Sequence, residues 1–155
     1  MWSVDGRTRD PGFFAGLVPE QVLYDFDGPR IFTSRTAEGG LVLACLCEQE
    51  GKLDRFVVAP ANEREIEQLQ SGSLPVRDAL TRGWLWIVDR NHRGSVKAAW
   101  ECSPSSLPND VLPKPGTPLL PSHELTSTLK SIAPERRKKF EQAQARVRTK
   151  GLWAA

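Results

Sequence analysis

Two carboxylates, Asp25 and Asp27, stand two residues apart at the end of an apolar run in "VLYDFDGPRIFT", Val22 to Thr33. Paired at that spacing, they could share work on a magnesium-bound phosphoryl group. Such chemistry asks for more. The metal wants further oxygen ligands, and the transferred group needs a hydroxyl and a lysine to neutralise its charge. Neither an Asp-Asp pair nor Asp-x-x-x-Asp follows downstream. Cysteines offer a second chemistry. Cys45 and Cys47 alternate on one face of an expected strand, with Cys102 on another. Three thiolates could bind zinc, but structural zinc sites use a fourth ligand and CxxC-type spacing. His92 and His123 fall on separate predicted loops. The cysteines therefore read as small apolar core residues. With no GxSxG, HExxH, P-loop or dinucleotide fingerprint in the chain, no catalytic residue, metal or cofactor is expected.

The Asp-x-Asp-Gly stretch resembles the first motif of phosphatases of the haloacid dehalogenase type. That resemblance implies Asp25 as the nucleophile attacking phosphorus and Asp27 as the acid/base. It ends there. The family has Thr or Ser after the glycine where this chain has Pro29, and "WLWIVD" does not end in the Ser or Thr of the second motif. A tight turn accounts for the same letters, since Asp27 and Gly28 tolerate its dihedrals and Pro29 sets the next one. A different resemblance covers about residues 21–90. Tyr-x-x-Asp-Gly-Pro-x-x-Phe, followed by an apolar strand and a "VVA" strand leading into a short helix, is similar to a family of small uncharacterised bacterial proteins. Tyr24, Asp27, Gly28, Pro29, Phe32, Val57, Val58, Pro60, Leu69, Gly72 and Leu80 carry it, with "FDGP" in place of the family's "YDGP". The likeness implies a fold and transfers no catalytic residue.

Strand signals come close together. "QVLYDF" and "RIFTSR" flank Asp27-Gly28-Pro29; "GLVLACLCEQE" and "KLDRFVVAP" follow across short turns. Connections this short demand antiparallel neighbours. Asn62 caps a short helix ended by Gly72, with Glu65 placed to reach back; Ser73 and Pro75 start a second that Gly83 closes. "WLWIVD" reads as a covered central strand, with Trp84, Trp86 and Val88 on one face and Leu85 and Ile87 on the other. "SVKAAWEC" is its hairpin partner across "RNHRG". Tryptophans 84, 86 and 100 could stack bases, but on an apolar strand they read as core. The expected fold is α+β, an antiparallel sheet of about six strands with two short helices. Residues 1–20 form an N-terminal arm pinned by Phe13, Phe14 and Leu17, and 21–103 the core. The proline-rich stretch 104–121 is a semi-rigid linker, and 122–155 a helical basic tail.

At 155 residues, 39% hydrophobic and 26% charged, the chain has the composition of a soluble globular protein. "LVLACLC", its longest apolar stretch, is too short to span a bilayer, so no membrane is expected. No basic segment followed by an apolar one opens the sequence, and an odd cysteine count suits reduced thiols. A cytoplasmic location follows. Charge is unevenly spread. Pro134 to Lys150 carries seven Lys/Arg against two Glu, while the other 138 residues hold 14 against 17 Asp/Glu. On a helix, Phe140, Ala143 and Val147 make a narrow apolar stripe. Arg136, Arg137, Lys138, Lys139, Arg146, Arg148 and Lys150 surround it, and Leu152 and Trp153 add apolar anchors. That segment suits a protein partner or a nucleic-acid backbone, the latter with steep salt dependence. The favoured expectation is a non-enzymatic accessory or interaction protein, its core binding a protein partner and its basic helix a partner or nucleic acid. The alternative is a magnesium-dependent phosphatase-like enzyme using Asp25 and Asp27.

Overall fold

In "LVLACL" and "FVVA" apolar residues occupy consecutive positions, so both faces of these strands need cover. The computed structural model, which describes residues 1–119, meets that need with one seven-stranded antiparallel sheet packed on both faces. The strands are β1 (Arg7–Thr8), β2 (Gln21–Asp25), β3 (Pro29–Arg35), β4 (Leu41–Glu50), β5 (Leu53–Pro60), β6 (Leu85–Asn91) and β7 (Val96–Cys102). Two short helices, α1 (Glu63–Ser71) and α2 (Val76–Leu80), join β5 to β6. The order across the sheet is β1-β7-β6-β5-β4-β3-β2. A sheet with so little helix sits within the α+β or mostly-β architectures.

The seventh strand comes from the expected arm. Arg7 and Thr8 pair with Glu101 and Trp100 on β7, too short a strand for periodicity to announce. Gly6 lets the chain in: a Cβ there would stand 2.5 Å from the Glu101 carbonyl oxygen. Because β1 lies at one edge and β2 at the other, the intervening residues must cross a face of the sheet. Pro11–Leu17 does so as an irregular 3-10 segment, with Phe14 and Leu17 fully buried and Phe13 partly so. Beneath it lie Phe32, Ala44, Phe56, Val58, Trp86 and Val88. The opposite face, with Ile31, Leu43, Val57 and Ile87, is covered by Ile66 and Leu69 of α1 and Val76 and Leu80 of α2.

Between β2 and β3 the Asp-x-Asp-Gly stretch is a turn. Asp25 pairs with Pro29, the Phe26 N–H donates to the Gly28 carbonyl at 2.9 Å, and Asp25 Oδ1 accepts from the Gly28 N–H at 3.3 Å. Asp27 and Gly28 both take positive φ, 56° and 108°. Tyr24 and Phe26 are buried, as the alternation requires.

The helices depart from expectation in detail. Asn62 Oδ1 accepts from the Glu65 N–H at 2.9 Å, but the Glu65 carboxylate pairs with Arg82 at 3.3 Å. Ser73 does not cap α2. Its hydroxyl donates to the Gln68 carbonyl at the end of α1, and Pro75 opens the helix without a side-chain cap. Strand β6 begins at Leu85, which leaves Trp84 outside it. The proline-rich stretch, expected as a linker, packs onto the α2 side through residue 119. Leu112 and Leu119 join the core, and Arg77 donates to the carbonyls of Asn109, Leu112 and Pro113 at 2.8–3.1 Å. One arginine thus supplies donors for a segment whose prolines cannot build regular structure.

An ion pair ties the arm to the sheet. Arg55 and Asp89, neighbours in register on β5 and β6, are 5% and 3% exposed and bonded through two parallel contacts of 2.7 and 2.8 Å. The guanidinium also donates to the Trp2 carbonyl and lies against the rings of Trp2 and Trp100. Burial works to lower the Arg55 pKa, but the Asp89 hydrogen bonds and charge outweigh it and leave it raised.

Candidate functional site

Arg136, Arg137, Lys138, Lys139, Phe140, Arg146, Val147, Arg148, Lys150 and Trp153 lie outside the described residues. Asp25 ends β2 and Asp27 lies in the β2–β3 turn, whose backbone the Asp25 carboxylate supports. Among the described residues no group of three or more His, Cys, Asp or Glu side chains stands where it could hold a metal ion. Cys45 and Cys102 are buried, Cys47 is partly buried, and all three are free thiols. No helix among the described residues is long and apolar enough to cross a membrane.

Two surface features have the chemistry to bind something, and they occupy opposite ends of β6. The first is aromatic. Trp84 is 50% exposed and meets Trp86 edge to face, ring centroids 4.6 Å apart at 87°. Trp86 in turn packs against Phe13 at 5.6 Å and Phe14 at 5.4 Å. Its indole N–H is buried with no acceptor among the described residues. The Arg9 guanidinium lies 4.0 Å from the Phe13 ring centre. Register explains the juxtaposition: Trp86 pairs with Glu101 and Glu101 with Arg7, so one row crosses β6, β7 and β1 on the same face. Arg7 and Arg9 are exposed. Strand β6 starts one residue later than the "WLWIVD" pattern predicts, so Trp84 stands at the surface and not in the core. A tryptophan one residue ahead of its strand is the only local sign of this face.

The second feature is a polar cleft of about 540 Å³ where the β2–β3 and β6–β7 turns approach the ends of β4 and β5. Its floor comes from register. The last apolar row, Leu46–Phe56–Val88, is followed by Gln49–Asp54–Arg90 on the same face. A bulge between Leu46 and Glu48 makes this so. Strict alternation would put Glu48 beside Asp54, two carboxylates together; the extra residue brings an amide there. Gln49 Nε2 donates to Asp54 Oδ1 at 2.8 Å, and Gln49 Oε1 accepts from the buried Arg30 at 3.4 Å. His92 Nε2 stands 3.2 Å from the same Asp54 oxygen. The β6–β7 turn that carries His92 and Arg93 is held by Asn91, whose Oδ1 accepts from the N–H groups of Arg93 and Ser95 at 3.0 and 2.9 Å. Arg90 donates to the Leu17 carbonyl and lies over the Phe56 ring at 4.8 Å. Burial lowers its pKa, and Asp54 only partly opposes that. The sequence showed "RNHRG" as a hairpin tip, but nothing local reveals that it faces Asp54, thirty-eight residues away.

Compared with known proteins, the chain matches no family model, no curated protein and no solved structure.

Proposed function

We propose that this chain is a non-enzymatic interaction protein of the cytoplasm. Its folded part docks on an acidic protein partner through the Trp84 face, and the basic segment 134–150 makes a second contact. The observation that carries the reading is Trp84: half exposed, yet packed edge to face on Trp86. Leaving a large ring in water is costly, and an anchored one has little side-chain entropy left to lose on binding. Tryptophan and arginine dominate the energetics of protein interfaces, and Arg7 and Arg9 stand beside this ring system. The sign of the partner follows from charge. Arg7 and Arg9 outnumber Glu101 on the face and the 134–150 segment carries +5, although the rest of the chain sums to −3.

The test places a photo-crosslinking side chain at position 84 of the intact chain, with and without Arg7→Glu and Arg9→Glu. The reading expects a protein captured from position 84 and lost in the charge-reversed form. Trp84→Ala should abolish binding of that protein while shifting stability by no more than about 1 kcal/mol. Capture of the same proteins from the distant exposed Glu38 would sink it. In parallel, a fluorescent duplex and a single strand are titrated at two salt concentrations against the intact chain and one truncated after Ile132. Binding that falls steeply with salt and vanishes on truncation moves the segment's partner to nucleic-acid phosphates.

A further inference from the structure

The cleft at the other end of β6 has features that the docking face does not explain. Among the described residues, the non-glycine positions with positive φ are Ala15, Leu17 and Asp27, at 49°, 50° and 56°. Asp27 lines the cleft, and Ala15 and Leu17 flank Gly16, which also lines it. Asp27 takes that conformation as a turn residue, but Ala15 and Leu17 each cost on the order of 1 kcal/mol, and such strain gathers where a binding site dictates backbone shape. The second feature is Arg90. It is partly buried, and its side chain's one hydrogen bond among the described residues is to a neutral carbonyl, that of Leu17. No carboxylate forms an ion pair with it among the described residues. A desolvated guanidinium bonded only to a carbonyl retains donors for an anion.

We propose that this cleft binds a small molecule through an oxyanion group, phosphate or carboxylate, held by Arg90 and Arg93 with His92 beside them. Hydrogen bonding agrees with this. Arg90 and Arg93 stand with Asp27 and Asp54 in the lining, and Asp54 is already engaged by Gln49 and His92. His92 Nε2–H donates to Asp54, which occupies the neutral ring's one donor and leaves the anion to Arg90 and Arg93. The exposed Arg93 can swing onto the anion, and Arg90 meets it from the floor. The volume, about 540 Å³, suits a ligand of metabolite size rather than a polymer.

The experiment is residue-resolved NMR titration of the full chain with inorganic phosphate and, separately, succinate, against sodium chloride at matched ionic strength. Saturable shifts of the His92, Arg93 and Gly94 amides are expected. Saturation by phosphate alone identifies a phosphorylated ligand, and by succinate alone a carboxylate one. Arg93→Ala and Arg90→Lys should each weaken binding roughly tenfold, the loss expected for one charge-assisted hydrogen bond. Trp84→Ala, at the far end of β6, should leave it unchanged. Should Arg90→Lys fail to fold, Arg93→Ala combined with His92→Gln carries the same test from the turn. The proposal is overturned if neither anion gives saturable shifts in the cleft, or if those shifts survive the variants.

Discussion

Cys45 shows how a single buried group links structure to pH. Its thiol lies on β4 under the α1–α2 layer, and burial pushes its pKa up to about 12, against the weaker pull of Arg30. Burial raises Cys102 as well, and Cys47 well above its ordinary value. In the unfolded chain these thiols ionise near their ordinary value, about 8.5. Above that pH the unfolded state gives up protons that the folded state keeps, so stability falls as pH rises toward 12. The urea midpoint should therefore drop between pH 7 and pH 10, and Cys45→Ala should show a smaller drop than the parent. Equal drops would assign the loss to other groups. The same burial keeps the thiolate, the reactive form, scarce at neutral pH.

At the scale of elements, Arg77 decides the fate of the proline-rich stretch. Six prolines between 104 and 121 exclude a ladder of backbone hydrogen bonds. A tethering linker is the natural expectation for such a run. The stretch packs because Arg77, on the short α2, supplies donors to three of its carbonyls while Leu112 and Leu119 bury beside the helices. Arg77→Ala should expose the peptide bonds around Asn109 to Lys114 to faster protease cleavage than in the parent, with the sheet still protected. A digestion pattern identical to the parent would show that the leucines alone hold the segment. The bulge in β4 has comparable leverage at the cleft, since one extra residue exchanges Glu48 for Gln49 beside Asp54.

For the whole molecule, residues 1–20 are structural members of both cores. Trp2 and Val4 pack against one face, Phe14 and Leu17 plug the other, and β1 covers an edge. Losing buried Phe14 and Leu17 alone removes several kcal/mol, comparable with the total stability of a small domain. A chain lacking residues 1–17 should therefore lose its cooperative thermal transition. A truncated chain that still melts cooperatively within about 5 °C of the parent would reduce these residues to a dispensable arm. The same crossing builds the cleft, because the strained Ala15–Leu17 turn ends against Arg90.

Six strands, their antiparallel order, α1, the Asp27–Gly28 turn and the hairpin at "RNHRG" were legible in the residues, because each rests on local patterning or turn chemistry within a few positions. The expected strand at Trp84 failed by one residue, which leaves that ring half exposed at the surface. No local signal marks β1, whose two residues become a strand only because Gly6 permits contact with Glu101. The Arg55–Asp89 pair, the Trp86–Glu101–Arg7 row and the Gln49–Asp54–Arg90 floor join residues far apart in the chain. Composition and local patterning determined that this chain forms a covered antiparallel sheet and carries a basic segment. Tertiary structure alone decided where the exposed Trp84 face and the polar cleft lie, since a one-residue shift in strand register sends every side chain to the opposite face.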